Sequence, residues 1–116
     1  MSVLYLTKDL FLSSRVCSLA RKLGVTIDVV ASTDDYMASE EISLVIIDLG
    51  LPALDVENLI GNVREFAGAS KIIAYGPHVD TTLLSAAERA GCDRVLPRSQ
   101  FNQQIEEILK AVTSSV

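Results

Sequence analysis

The sequence predicts an α/β protein: a parallel five-stranded sheet of order 2-1-3-4-5 with helices on both faces. Three observations carry that prediction. Short β-branched and apolar runs alternate with segments of helical period, five of each, through connections of two to six residues. The run Leu44-Val45-Ile46-Ile47 has no polar alternation, as a strand buried on both faces requires. It enters Asp48, and Gly50 and Pro52 follow at once, so the strand ends in a turn that presents the carboxylate at the carboxyl edge of the sheet. Open α/β folds bind their ligands at that edge, and in this strand order Asp48 sits at the topological switch point.

Val3 to Thr7 reads as the first buried strand. From Leu10 to Leu23 the residues Leu12, Val16, Leu19, Ala20 and Leu23 fall at helical spacing, with Asp9 as N-cap and Gly24 as the stop. Val25 to Ala31 is β-branched but interrupted by Asp28, which suits an edge strand. Ser32 or Thr33 caps a brief helix through Ala38, and the Leu44 to Leu49 strand follows. Asp55 then caps a helix that buries Leu59, Ile60, Val63 and Ala67 and ends near Gly68. Lys71 to Tyr75 is a strand broken by Gly76 and Pro77, and Asp80 to Ala90 a helix closed by Gly91. Asp93 to Leu96 makes the last strand. In the final helix Phe101, Ile105, Ile108, Leu109 and Val112 form one apolar stripe.

At 116 residues, 49% hydrophobic and 22% charged, the chain is sized for one globular domain, residues 1–116, and is not of disordered composition. No apolar run approaches the roughly 20 residues that cross a membrane, and no secretory leader opens the chain, so a cytoplasmic location is expected. The net charge of −5, with scattered basic residues, argues against direct nucleic-acid binding. Cys17 and Cys92 lack metal or redox spacing and read as core thiols, and His78, the single histidine, as a solvated loop residue.

The apolar run into Asp48, Pro52 four residues later, Ala90-Gly91 before the last strand, and Leu96-Pro97 followed by a basic residue resemble, in this order, the CheY-like receiver domains of bacterial response regulators. The resemblance covers essentially the full chain and implies a flavodoxin-like (βα)5 three-layer sandwich. It also implies a phosphoryl group passed from a histidine kinase to Asp48 with the help of Mg²⁺. In the family the metal is held by an acidic pair after the first strand, the phospho-accepting aspartate, and a backbone carbonyl that corresponds to Gly50. The acidic pair falls on Thr7 and Lys8; a one-residue slip brings in Asp9 but leaves Lys8 at the first acidic position. The family's switch hydroxyl corresponds to Gly76, its fifth-strand aromatic to Val95, its lysine to Arg98 and the following proline to Ser99. Arg98 keeps the charge without the compact geometry of lysine. A cis bond between Arg98 and Ser99 would cost about 2.5 to 4 kcal/mol, so a trans bond and a shifted loop are expected.

Of the six positions that carry the family mechanism, Asp48 alone is unchanged. The expected function is therefore that of an atypical receiver, or pseudo-receiver: a phosphorylation-independent protein-interaction module in two-component signalling, not an enzyme and with no cofactor. If the chain is complete at Val116, its effect is expected to be exerted by binding a signalling protein such as a histidine kinase or regulator, or a second copy as a homodimer. The family's partner surface often spans what is here about Asp80 to Val112, where Leu83, Leu84 and Phe101 are contact candidates that helical spacing also explains as core. In place of a metal, Lys8 and Arg98 are expected to pair with Asp48. The alternative is a working phosphoacceptor on Asp48, with Asp9, Asp48 and the Gly50 carbonyl holding Mg²⁺. A small-molecule site ranks below both, because the Thr7 to Leu12 loop has no glycine to cradle a phosphate.

Overall fold

The computed structural model describes residues 2–32, 42–51, 55–68 and 70–113. Along the chain run β1 (Ser2–Leu6), α1 (Leu10–Leu23), β2 (Thr26–Val30), β3 (Ile42–Asp48) and α2 (Val56–Phe66), followed by β4 (Lys71–Gly76), α3 (Thr81–Arg89), β5 (Arg94–Pro97) and α4 (Arg98–Thr113). All strand pairs are parallel, in the order β2-β1-β3-β4-β5. The three-layer prediction therefore holds, with β2 on an edge and β3 in the centre. The brief helix expected from Ser32 or Thr33 to Ala38 lies outside the described residues, as does Pro52.

The period-2 alternation of each strand divides the core. Val3, Tyr5, Leu44, Ile46, Ile73 and Tyr75 face α1 and α4, whereas Leu4, Leu6, Val45, Ile47, Ile72 and Ala74 face α2 and α3. Phe101 is fully buried on α4, so it belongs to the core and not to a contact surface. Leu83 and Leu84 are half-buried and pack on the α2 and α3 side. Cys17 and Cys92 are half-buried free thiols, and burial pushes Cys92 up to about 11. His78 is exposed in the turn after β4.

Three helices start on an aspartate that accepts the amide three residues on: Asp9 from Leu12 at 3.0 Å, Asp55 from Asn58 at 3.2 Å and Asp80 from Leu83 at 3.0 Å. Each cap follows a strand, so all three stand at the carboxyl edge with Asp48. At the opposite edge, Arg64 holds the return connections. Its guanidinium donates to the carbonyls of Gly68, Ser70 and Gly91 at 3.2, 2.8 and 3.2 Å and lies 3.3 Å from the Asp93 carboxylate. Asp93 in turn exchanges two bonds with the Ile72 backbone, both at 2.8 Å. No helix among the described residues is long and apolar enough to cross a membrane.

Candidate functional site

The parallel register sets the site. Leu6 pairs with Ile47 and Asp48 with Tyr75, so Thr7, one residue beyond β1, comes level with Asp48 at the end of β3. Thr7 is 4% exposed and its hydroxyl has both of its roles filled. It accepts the Asp9 amide at 3.0 Å and donates to Asp48 Oδ2 at 2.6 Å. The other carboxylate oxygen, Oδ1, accepts the Gly50 amide at 2.8 Å. Half-buried Asp48 is therefore held from both sides by neutral donors, in a depression of about 300 Å³ that Lys8, Asp9, Gly76 and Arg98 also line.

The expected ion pair with Asp48 is not formed. Arg98, at the start of α4, is bonded to Asp9 Oδ2, while Asp9 Oδ1 caps α1. Lys8 is exposed and makes no ion pair among the described residues. The physical reason is that Asp9 sits between the first turns of α1 and α4, where it meets the guanidinium, and Asp48 already has its hydrogen bonds. The expected loop at Arg98 and Ser99 is also absent: β5 runs straight into α4 at Arg98, and no described peptide bond is cis.

Gly76 explains the missing switch hydroxyl. A Cβ at this position would lie 3.2 Å from Leu49 Cβ and 3.5 Å from Leu84 Cδ2, so a serine or threonine would need Leu49 to give by a few tenths of an ångström. The hydroxyl that reaches Asp48 comes instead from Thr7, just beyond β1. Val95 packs with the α2 and α3 side of the core and is not among the residues lining the Asp48 depression. Gly50 also has little spare room, since a Cβ there would lie 3.0 Å from Asp48 Oδ1.

Behind Thr7 and Asp48 lies an aromatic group that the sequence reading did not assemble. The Tyr5 and Tyr75 hydroxyls are hydrogen-bonded at 2.5 Å, and Tyr75 stacks on Phe101 with centroids 4.3 Å apart and planes 12° from parallel. Tyr5 meets both rings edge-on. Burial pushes Tyr5 up to about 12 and raises Tyr75 as well; the Asp48 charge acts in the same direction. The signal was present in the strand pattern, since Tyr5 and Tyr75 fall on inward positions facing the helix that carries Phe101.

Mg²⁺ is the group that the receiver resemblance implies, and the donors do not fit it. A hard cation needs several free oxygens in near-octahedral order. Here both Asp48 oxygens accept hydrogen bonds, both Asp9 oxygens have partners, and Lys8 and Arg98 line the same depression. Among the described residues no three His, Cys, Asp or Glu side chains group as a metal site.

No protein-family model and no curated protein matches this sequence. Solved structures do match in fold. The signal receiver domain of an HD-domain-containing protein from Pseudomonas fluorescens aligns with a TM-score of 0.79 at 20% identity, over 98% of this chain and 94% of that one. A response regulator from Thermotoga maritima aligns at 0.76 and 20% identity, over 97% of both chains. The receiver domain of a sensor histidine kinase from Pseudomonas aeruginosa, solved with magnesium in its active-site cleft, aligns at 0.76 and 18% identity over 97% of both chains. The chain therefore has, over nearly its whole length, the flavodoxin-like fold of CheY-like receiver domains.

Proposed function

We propose that this chain is an atypical receiver that serves two-component signalling as a protein-interaction module, without a phosphorylation cycle and without catalytic turnover of its own. Its partners would be cytoplasmic signalling proteins, such as a histidine kinase or a regulator. The observation that carries this reading is the closed hydrogen bonding of Asp48, with Thr7 on one oxygen and the Gly50 amide on the other. These donors stabilise the carboxylate as it stands, and the oxygen that attacked a phosphoryl donor would have its bond, worth about 1.5 to 3 kcal/mol to a charged acceptor, weakened as its negative charge passed to the new ester. The carboxylate would also need a metal to offset the incoming negative charge, beside a lysine and an arginine.

The second reading, a phosphoacceptor on Asp48, draws on the half-buried carboxylate's place in an open depression at the carboxyl edge. One experiment separates them. Intact mass is measured after incubation with acetyl phosphate, with and without Mg²⁺, for the wild type and Asp48→Asn beside a conventional receiver. The proposed function expects no adduct on this chain while the control reacts. A Mg²⁺-dependent phosphoryl adduct confined to the wild type would establish the second reading instead.

A further inference from the structure

At the amino edge of the sheet, opposite Asp48, two strands carry a cation where their pattern calls for an apolar side chain. The positions of β4 on the α4 side run Lys71, Ile73, Tyr75, and those of β5 run Arg94, Leu96. Lys71 is level with Leu44 of β3, and Arg94 with Ile73 of β4. Residues paired across a parallel ladder share a face, so both cations belong to the side that α4 covers. Both are nevertheless exposed, because the cover is incomplete. Between the last two turns of α4 and the first residues of β3, β4 and β5 lies a hollow of about 570 Å³.

Its apolar walls are Ile42, Leu44, Ile73, Ile108 and Val112, each between 3% and 7% exposed. Apolar surface this recessed is open to a slender molecule and closed to the broad face of a protein. Its mouth is charged, for Lys71, Arg94 and Glu107 line it and all three are exposed. Arg94 donates to the Gln104 side chain at 2.9 Å, a neutral acceptor that leaves its charge unopposed. Lys71 and Glu107 make no ion pair among the described residues. The neighbouring carboxylates are engaged: Asp93 with Arg64 and the Ile72 amide, Glu106 with Lys110. Two cations against one carboxylate, over an apolar interior, match the usual plan of a small-molecule site, in which a few polar groups orient a mostly apolar ligand.

We propose that this hollow binds a small organic acid, its apolar body between α4 and the strand starts and its carboxylate beside Lys71 and Arg94. An inorganic anion would leave the apolar walls unfilled, and a neutral hydrocarbon would leave the cations unused. The acid satisfies both, and its carboxylate forms charge-assisted hydrogen bonds that an alcohol or an amine cannot match there. The site is separate from Asp48 and does not depend on the function proposed above. A ligand held between α4 and three strands of the native chain also stabilises that chain by mass action.

The test is an amide chemical-shift titration of the full chain with phenylbutyrate, beside phenylbutanol and phenylbutylamine, which keep the apolar body and change the head. The acid is expected to give saturable shifts in 42–44, 71–73, 94 and 107–112, with a Kd on the order of a millimolar for a ligand of this size. The alcohol and the amine should bind about tenfold more weakly or worse. Glu40 and Glu41 precede Ile42 in the sequence, outside the described residues, and the amine is the probe that detects a mouth governed by acids. Lys71→Glu combined with Arg94→Glu should remove the preference for the acid. Ala111→Phe, which sets a ring at the hollow, should weaken the acid about tenfold or more. Lys71, Arg94 and Ala111 are exposed, and an unchanged circular dichroism spectrum checks that the variants fold. No saturable shift, shifts centred elsewhere, equal or tighter binding of the alcohol or the amine, or binding undiminished in either variant would overturn the proposal. The acetyl phosphate experiment reads Asp48 alone, so the two proposals stand or fall separately.

Discussion

Thr7 has one hydroxyl proton, and the Asp9 amide on its oxygen directs that proton to Asp48. Thr7→Val keeps the shape and removes the bond, so it should cost about 1.5 to 3 kcal/mol in urea unfolding, while Thr7→Ser should recover most of that. The tyrosine pair behaves differently, because both partners are uncharged. Tyr5→Phe or Tyr75→Phe removes the bond between the two buried hydroxyls and should cost about 1 to 3 kcal/mol, whereas the double phenylalanine variant should cost less than the two single losses added together. The pH dependence follows from the direction of the shift. Tyr5 ionises at about 12 in the folded chain against 10.0 ordinarily, so the unfolded chain loses its proton first. The contribution is whole below pH 10 and falls as pH rises toward about 12. Urea midpoints should therefore drop above pH 10, less steeply in Tyr5→Phe. At this scale the sequence revealed Asp48 because an apolar run ends on it. It did not reveal Thr7 as the partner, since the two are 41 residues apart and only the β1 to β3 register brings them level. The Lys8 and Arg98 pairing failed for a related reason: opposite charge was the only guide, and Asp9 lay in the way.

Elements were easier to read where their signals are local. An aspartate before a helical period identified Asp9, Asp55 and Asp80 as caps, and Gly24 ends α1 in the left-handed region at φ 71°. Gly24→Ala should cost about 1 kcal/mol, read in the same urea assay. The Arg64 clamp was not legible, because its carbonyl acceptors at Gly68, Ser70 and Gly91 carry no side-chain signature. Its planar fork reaches three carbonyls and a carboxylate at once, which a single ammonium cannot reproduce. Arg64→Leu should lose about 1 to 3 kcal/mol, and Arg64→Lys should recover only a minor part of it.

Across the whole molecule, strict alternation and the continuous apolar third strand were enough to give the sheet order and the layers, since right-handed crossovers leave few other arrangements. The same topology places three caps, Asp48 and the exposed Leu10, Phe11 and Val79 at one edge. The chain shares its frame with its structural neighbours, and on such a frame function is carried by local chemistry. The most direct test is a Mg²⁺ titration followed by amide chemical shifts, with a matched NaCl series as control. If Thr7 and the Gly50 amide hold Asp48 closed, millimolar Mg²⁺ should give no saturable shift at residues 7–9 or 48–50 beyond the salt control. A saturable shift there that vanishes in Asp48→Asn would contradict the closed carboxylate and open the way to phosphoryl chemistry.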